Sequence, residues 1–127
     1  MNEEHQPPLI LVVDDSLFMR KRVRQLLGQD GYTLVEASSG ASALTELGRH
    51  QFDCILTDLL MPEMDGFELL AELRRRQVTT PVVVVTADIQ KATRERCEEL
   101  GAAQVIQKPV PPDVLRSVVA GIVAARC

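Results

Sequence analysis

The feature that most constrains the fold of this chain is a regular alternation between short apolar runs and segments of helical periodicity. Each apolar run is rich in branched side chains, and in most of the segments that follow apolar residues recur every three or four positions. The alternation repeats five times along the chain. Parallel strands need crossover connections, usually helices, so strand and helix in strict alternation indicate a parallel sheet. The sequence therefore predicts an α/β fold with helices on both faces of the sheet.

The individual elements are bounded by changes of composition and by turn residues. We predict strands at residues 9–13, 33–37, 54–57, 82–85 and 104–106. We predict helices at residues 17–29, 40–48, 67–76, 92–100 and 113–125. The runs 9–13 and 82–85 are apolar without alternation, which is typical of central strands buried on both faces. The run 33–37 contains Glu36 and is expected to be an edge strand.

Length and composition limit the domain organisation. A chain of 127 residues with 46% hydrophobic residues is the size of one domain with its own core. We expect residues 1–8 to form a flexible tail and residues 9–125 to form the domain, with no output domain attached. No segment is long and apolar enough to span a membrane, and the cysteines are scattered, which favours a soluble cytoplasmic protein without membrane insertion.

Charge excludes one class of function. The formal net charge is −4 and the sequence pI is near 5.2, which argues against direct binding of nucleic acid. Basic residues do cluster in two places, at 20–24 and at 74–76. Because both clusters lie on predicted helices, we expect them to be solvated faces.

Polar side chains follow four of the predicted strands at the point where each strand ends. Asp14 and Asp15 follow the first strand, Asp58 the third, Thr86 the fourth and Lys108 the fifth. In open parallel sheets, ligands bind beyond the carboxyl ends of the strands. Any one of these residues alone would most simply be a turn, cap or solvated residue. Five suitable residues at the same ends of four strands instead predict a functional site.

The charges of this site suggest which ligand it needs. Two carboxylates 4 Å apart repel by about 4 kcal/mol at an effective dielectric constant near 20. Lys108 supplies one compensating charge. A divalent cation bound by carboxylates, a backbone carbonyl and water would supply two more, and Mg²⁺ prefers this set of ligands together with phosphate oxygens.

The same residues favour phosphoryl transfer over hydrolysis by a catalytic triad. A carboxylate can attack phosphorus to give an aspartyl phosphate, and the reaction needs mainly in-line positioning and charge neutralisation. A cation, Lys108 and the hydroxyl of Thr86 meet these needs. No histidine lies near the strand ends, since His5 is in the tail and His50 lies between the second helix and the third strand.

Four motifs in this order carry a family resemblance. They are VVDDS at 12–16, DLLMPEMDGF at 58–67, TA at 86–87 and KP at 108–109. With them the chain resembles the CheY-like receiver domains of two-component response regulators, from about residue 9 to residue 123. The resemblance implies a doubly wound, flavodoxin-like sheet of five parallel strands in the order 2-1-3-4-5.

The resemblance also implies roles for individual residues. Asp58 corresponds to the phosphoacceptor, and Asp14 and Asp15 to the acidic pair. Mg²⁺ would be held by these three carboxylates and by the backbone carbonyl of Leu60, with Asp14 acting largely through water. Thr86 corresponds to the hydroxyl that moves to the phosphoryl group and Lys108 to its salt-bridge partner. The bond from Lys108 to Pro109 is often cis in this family.

The partners implied are proteins. A sensor histidine kinase would donate the phosphoryl group from a phosphohistidine, or a small phosphodonor would replace it, and self-dephosphorylation would follow. The protein would then catalyse only its own phosphorylation and dephosphorylation. The output would pass to a target protein through the face formed by the fourth helix, fifth strand and fifth helix, as in chemotaxis or a phosphorelay.

The chain departs from the family pattern at position 105, and its residues at positions 60 and 88 leave the lifetime of the phosphoryl group undetermined. Val105 stands where the family commonly has a Tyr or Phe coupled to the movement of Thr86, so the output is expected to shift the loop after the fourth strand and the following helix instead. In the family, positions beside the phosphorylated Asp and the Thr tune the lifetime of the phosphoryl group, and here they carry Leu60 and Asp88. Asp88 would either orient water or repel it. Pro62 and Gly66 have a structural interpretation, as a tight loop and a close contact.

Three other functions compete with this interpretation. A phosphorylation-independent interaction module would keep the fold but needs a lost acceptor or acidic pair, and none is lost. A phosphatase of the haloacid dehalogenase type would need a DxD pair, whereas Asp14 and Asp15 are adjacent. A flavodoxin-like cofactor binder should have Ser, Thr and Gly after the first strand, where two carboxylates would repel a phosphate.

Overall fold

The computed structural model describes residues 6–88 and 90–126. The strands are β1 (Leu9–Val13), β2 (Thr33–Ala37), β3 (Cys54–Asp58), β4 (Val82–Thr86) and β5 (Gln104–Gln107). The helices are α1 (Leu17–Gly28), α2 (Gly40–Leu47), α3 (Gly66–Arg75), α4 (Lys91–Glu99) and α5 (Pro112–Ala125). Every predicted element is present, and each end lies within one residue of its predicted position.

The five strands form one parallel sheet in the order β2-β1-β3-β4-β5. The α/β class, the strand order and the interior positions of β1 and β4 are therefore confirmed, and β2 is an edge strand as expected. In register, Val13 pairs with Ala37 on β2 and Thr57 on β3, and Asp58 pairs with Val85 on β4. The strands thus end close to one another, which brings the residues after them together.

The core divides into two clusters, one on each face of the sheet. On one face, side chains of α2, α3 and α4 pack on the sheet, including Ala43, Leu69 and Cys97. On the other face, α1 and α5 contribute Leu27 and Val119 among others. Aliphatic side chains dominate both clusters, as expected for a chain with 3% aromatic residues. The helices therefore cover the sheet on both faces.

Local sequence signals explain where several helices begin. The hydroxyl of Ser16 accepts a hydrogen bond from the Met19 amide at the start of α1. Asp65 and Glu68 form a reciprocal capping box at the start of α3. Pro112 occupies the first turn of α5, where its missing amide proton costs nothing.

The tail and the chain ends are described only in part. Of the predicted tail, residues 1–5, which include His5, lie outside the described residues. Cys127 lies outside them as well. Residues 6–8 have no regular secondary structure, and the Pro8 carbonyl accepts a hydrogen bond from the Thr33 amide. Among the helices that the structure describes, none has the length and apolar composition needed to cross a bilayer.

Candidate functional site

Three carboxylates and one ammonium group meet at the carboxyl edge of the sheet. Asp14 and Asp15 follow β1, Asp58 ends β3, and Lys108 follows β5. One oxygen from each of the three carboxylates lies within 4.8 Å of the other two. The Nζ of Lys108 lies 3.3 Å from Oδ2 of Asp14 and 3.3 Å from Oδ2 of Asp58. The structure therefore brings together four of the residues that the sequence placed in one site.

Asp14 is held at every one of its polar atoms. Its amide donates to the Ala37 carbonyl on β2, and its Oδ1 accepts from the Ser16 amide at 2.9 Å. Its Oδ2 accepts from Lys108, and its backbone carbonyl accepts from an Arg20 guanidinium nitrogen at 2.7 Å. Asp14 is buried, so these partners replace the water that its charge would otherwise need.

Asp58 is half-buried, although an ionised carboxylate is more stable in water. Its Oδ1 accepts a hydrogen bond from the Leu59 amide at 2.7 Å, and its Oδ2 faces Lys108. Burial raises the pKa of Asp58, the positive charge of Lys108 acts against that rise, and the negative charge of Asp14 adds to it. The side chain is still 12% exposed, so part of it remains accessible to solvent.

The Asp15 carboxylate differs from the other two. Asp15 is exposed, and within residues 6–88 and 90–126 its side chain makes no hydrogen bond or ion pair. It nevertheless contributes an oxygen to the cluster with Asp14 and Asp58. A set of hard carboxylate oxygens this close together, with an open side toward solvent, fits Mg²⁺, which binds few protein oxygens and keeps several waters.

Thr86 ends β4 beside this cluster and is buried. Its Oγ1 accepts a hydrogen bond from the Asp88 amide at 3.1 Å, and its carbonyl accepts from the Lys108 amide at 2.8 Å. The hydroxyl therefore bonds to the loop after β4, and its backbone fixes the residue that supplies the ammonium group. The peptide bond from Lys108 to Pro109 is cis, as the family resemblance implied.

The carboxylate of Asp88 is turned toward α4. Its Oδ1 accepts from the Gln90 amide at 2.9 Å, and its Oδ2 accepts from the Thr93 hydroxyl at 2.8 Å. These two contacts lower the pKa of Asp88, the Gln90 amide having the larger effect. Asp88 thus takes the place of a side-chain cap that Gln90, the N-cap residue of α4, does not provide.

The loop from β3 to α3 packs against the backbone of Asp58. A Cβ atom on Gly66 would lie 2.8 Å from the Asp58 carbonyl oxygen and 2.8 Å from the Leu59 Cα. The Gly66 amide donates to the Leu59 carbonyl at 2.8 Å. The structural interpretation of Gly66, as a residue that permits close packing, is therefore confirmed. Leu60, whose carbonyl was predicted as a metal ligand, carries a largely exposed side chain in this loop.

Helix α4 buries one residue and makes side-chain contacts with β5 and α3. Cys97 is its one buried residue among those that the structure describes. The Arg94 guanidinium donates to the carbonyl of Val105 at 3.3 Å, and the Arg96 guanidinium lies 3.9 Å from the centre of the Phe67 ring. Val105, at the position where the family resemblance implied an aromatic residue, is half-buried and packs on the core.

Two residues near the site were missed from the sequence. Arg20 was expected to belong to a solvated basic face, but its side chain is only 13% exposed and contacts Asp14 and Glu36. Glu36 was noted only as a sign of an edge strand. The expectation was wrong for Arg20 because an acidic residue on the neighbouring edge strand faces it. The spacing of α1 and β2 along the chain carries no signal of that contact.

Comparison with known proteins agrees with the fold and the motifs. Residues 10–120 match the family model described as the response regulator receiver domain. The chemotaxis protein CheY4 of Vibrio cholerae is similar in structure, with a TM-score of 0.87 and 28% identity over 92% of this chain and 99% of that chain. The fold is therefore shared with a protein of about the same length.

Two longer relatives contain a similar segment. The sensor histidine kinase RcsC of Salmonella typhimurium is 39% identical over 112 residues, which cover 88% of this chain and 12% of that protein. The transcriptional regulatory protein GlrR of Escherichia coli is 36% identical over 111 residues, which cover 87% of this chain and 25% of that protein. The chain thus spans less than a third of the length of either relative.

Proposed function

Because this chain belongs to the response regulator receiver domain family, we propose that Asp58 accepts a phosphoryl group from a phosphohistidine of a sensor histidine kinase. Asp14, Asp15, Asp58 and the carbonyl of Leu60 would hold the Mg²⁺ that this transfer requires. The phosphorylated protein then signals through contacts with a target protein in the cytoplasm.

The observation that carries the proposal is the position of one ammonium group between two carboxylates. Lys108 Nζ lies 3.3 Å from both Asp14 and Asp58, while Asp15 closes the cluster. Three acids and one base leave an excess of negative charge, which favours a bound cation over an empty site. A structural ion pair would need only one acid.

The transfer uses a carboxylate oxygen of Asp58 as the nucleophile. The oxygen attacks phosphorus, the phosphorus–nitrogen bond of the phosphohistidine breaks, and its electron pair stays on the imidazole ring. Bound Mg²⁺ would neutralise charge on the phosphoryl oxygens during this exchange. Lys108, already beside Asp58, is placed to pair with a phosphoryl oxygen after the transfer. Water can then attack the same phosphorus and release inorganic phosphate.

The conformational response would begin at Thr86. Its hydroxyl bonds to the Asp88 amide in the unphosphorylated protein. A charged phosphoryl oxygen on Asp58 would be a strong acceptor for the hydroxyl proton of Thr86. Turning the hydroxyl to donate to it would move the oxygen that now accepts from the Asp88 amide and so change the contact with the loop. Asp88 caps α4, so the change would reach α4 and the face that it forms with β5 and α5. This route does not need an aromatic residue at position 105.

Intact-mass spectrometry after incubation with acetyl phosphate tests the proposal. We expect a gain of one phosphoryl group with Mg²⁺ present and none after chelation. Asp58→Asn should remove the gain, whereas Asp113→Asn, which changes an exposed acid at the start of α5, should keep it. No adduct with acetyl phosphate or with phosphorylated histidine kinases would instead support a phosphorylation-independent interaction module.

A further inference from the structure

Arg20 bridges the edge strand and the acidic loop. Its Nε donates to Oε1 of Glu36 at 3.0 Å, and another guanidinium nitrogen donates to the backbone carbonyl of Asp14 at 2.7 Å. The planar guanidinium fixes two contacts at once, which a lysine in the same place could not do. The Arg20 side chain is 13% exposed, so its contacts are well shielded from water.

Glu36 is itself held by a second arginine. Arg24 donates from Nε to Oε2 of Glu36 at 2.6 Å and from another nitrogen to the Leu34 carbonyl at 3.1 Å. Arg24 is 48% exposed, and within the described residues it forms no hydrogen bond or ion pair with the acidic cluster. The two arginines therefore make the same kinds of contact: each binds one carboxylate oxygen of Glu36 and one backbone carbonyl. Only Arg20 reaches the site.

The carbonyl that Arg20 binds belongs to the peptide bond between Asp14 and Asp15. That peptide plane sets the direction in which the Asp15 side chain leaves the backbone. In the described part of the chain the Asp15 carboxylate has no hydrogen-bond or ion-pair partner of its own to orient it. The position of its oxygen in the cluster thus depends on the backbone, and the backbone at this point is held by Arg20.

We propose that Arg20, oriented by Glu36, is a positioning residue that fixes the Asp14–Asp15 peptide so that the acidic pair is preorganised for Mg²⁺. The inference rests on the proposed function, because it concerns the metal that phosphorylation would require. Groups that orient metal ligands from outside the coordination sphere typically change metal affinity by about 10–100-fold when they are removed. Arg20 holds a ligand's backbone, so the lower end of that range is expected.

Isothermal titration with Mg²⁺ alone measures this role directly. For Arg20→Ala we expect the dissociation constant for Mg²⁺ to rise by about tenfold. For Arg24→Ala, the matched control, we expect a change below about twofold, since an exposed ion pair contributes little. Arg20→Lys keeps the positive charge but cannot contact Glu36 and the Asp14 carbonyl at once. Its dissociation constant for Mg²⁺ should therefore lie between those of Arg20→Ala and Arg24→Ala. If Arg20→Ala does not fold, the dissociation constant of Arg20→Lys tests the proposal: a value above that of wild type supports it, and an equal value overturns it.

A kinetic measurement separates positioning from chemistry. With acetyl phosphate as donor, Arg20→Ala should need about tenfold more Mg²⁺ for half-maximal phosphorylation while its rate at saturating Mg²⁺ stays within about twofold of wild type. Equal Mg²⁺ affinity in wild type, Arg20→Ala and Arg20→Lys would overturn the positioning role alone. A wild-type protein that binds no Mg²⁺ would overturn both this role and the proposed function.

Discussion

Lys108 Nζ lies 3.3 Å from Oδ2 of Asp58, although Asp58 ends β3, Lys108 follows β5, and the two residues stand 50 positions apart in the chain. The same nitrogen lies at the same distance from Asp14. One positive charge is thus shared by two carboxylates, and neither is fully neutralised. The arrangement leaves the edge of the sheet charged and ready to attract a cation.

The first prediction concerns the competition between Lys108 and Mg²⁺. Removing the ammonium group in Lys108→Met leaves Oδ2 of Asp14 and Oδ2 of Asp58 without their shared ion-pair partner. In the absence of metal, this should lower the free energy of unfolding by about 1–3 kcal/mol. Because the two cations repel each other across a few ångströms, the dissociation constant for Mg²⁺ should fall by about tenfold. Denaturant unfolding and titration calorimetry measure the two effects.

Lys91→Met serves as the control for charge alone, since Lys91 is exposed on α4 and Glu95 is its one ion-pair partner in the described part of the chain. Its stability and Mg²⁺ affinity should match those of wild type. Weaker binding of Mg²⁺ by Lys108→Met would contradict the prediction and would mean that the lysine organises the carboxylates rather than competing with the metal.

The second prediction tests the support behind Asp58. In Gly66→Ala the new methyl group would meet backbone atoms of Asp58 and Leu59 at 2.8 Å, and backbone cannot rotate away. We expect a loss of about 1–3 kcal/mol in unfolding free energy and slower phosphorylation of Asp58. Gly121→Ala meets nothing within 4 Å in α5 and should gain about 0.5–1 kcal/mol. Loss of stability in both variants alike would contradict the role of the Gly66 contact.

The third prediction concerns the start of α4. Asp88→Ala removes the acceptor for the Gln90 amide and the Thr93 hydroxyl, and loss of such a cap costs about 1 kcal/mol. Hydrogen exchange should therefore speed up in the first turn of α4 and stay unchanged in α2. Thr93→Val, which removes only the hydroxyl contact, should have a smaller effect. Unchanged exchange in Asp88→Ala would show that packing alone holds the helix.

The fourth prediction is a pH dependence. Hydrogen bonds from Arg24, and then from Arg20, hold the pKa of Glu36 below its usual value of 4.5, while burial acts in the opposite direction. The stability that Glu36 contributes is therefore present above pH 4.5 and is lost as the pH falls through the lowered pKa. Wild type should exceed Glu36→Gln by up to about 1 kcal/mol near neutrality, and this difference should shrink on acidification.

Thermal unfolding of wild type and Glu36→Gln from neutral pH to about pH 2 measures the difference. The two curves should converge at the acid end because both side chains are then neutral. A difference that is constant with pH would mean that the carboxylate charge contributes nothing to the contact.

The fold could be predicted from the sequence because its local signals agree with one another. Apolar runs such as 82–85 are too short for helices and too continuous for exposed strands, and α1, α2 and α3 begin at good capping residues. The strand order came from the family resemblance and not from the pattern. Alternation alone implies a parallel sheet but does not say which strands are neighbours.

The carboxylate cluster could be predicted for a simple reason: parallel strands end at one edge. Asp58 ends a strand, and Asp14 and Lys108 each follow one directly, so their convergence needs only the topology. The contact between Arg20 and Glu36 depends instead on the rotation of α1 above β2, which the helical period does not fix to within one side chain. The direction of the Asp88 carboxylate depends on a loop conformation and was likewise not determined.

The contact between Lys108 and Asp14 joins residues 94 positions apart. During synthesis on the ribosome, Asp14 emerges long before its partner exists, and the same holds for Asp58. Asp14 and Asp58 therefore remain solvated and without their ion pair to Lys108 until β5 has left the exit tunnel and joined the edge of the sheet. A nascent chain arrested before residue 108 could hold most of the hydrophobic core and still lack the one ammonium group that offsets part of the negative charge at the edge of the sheet.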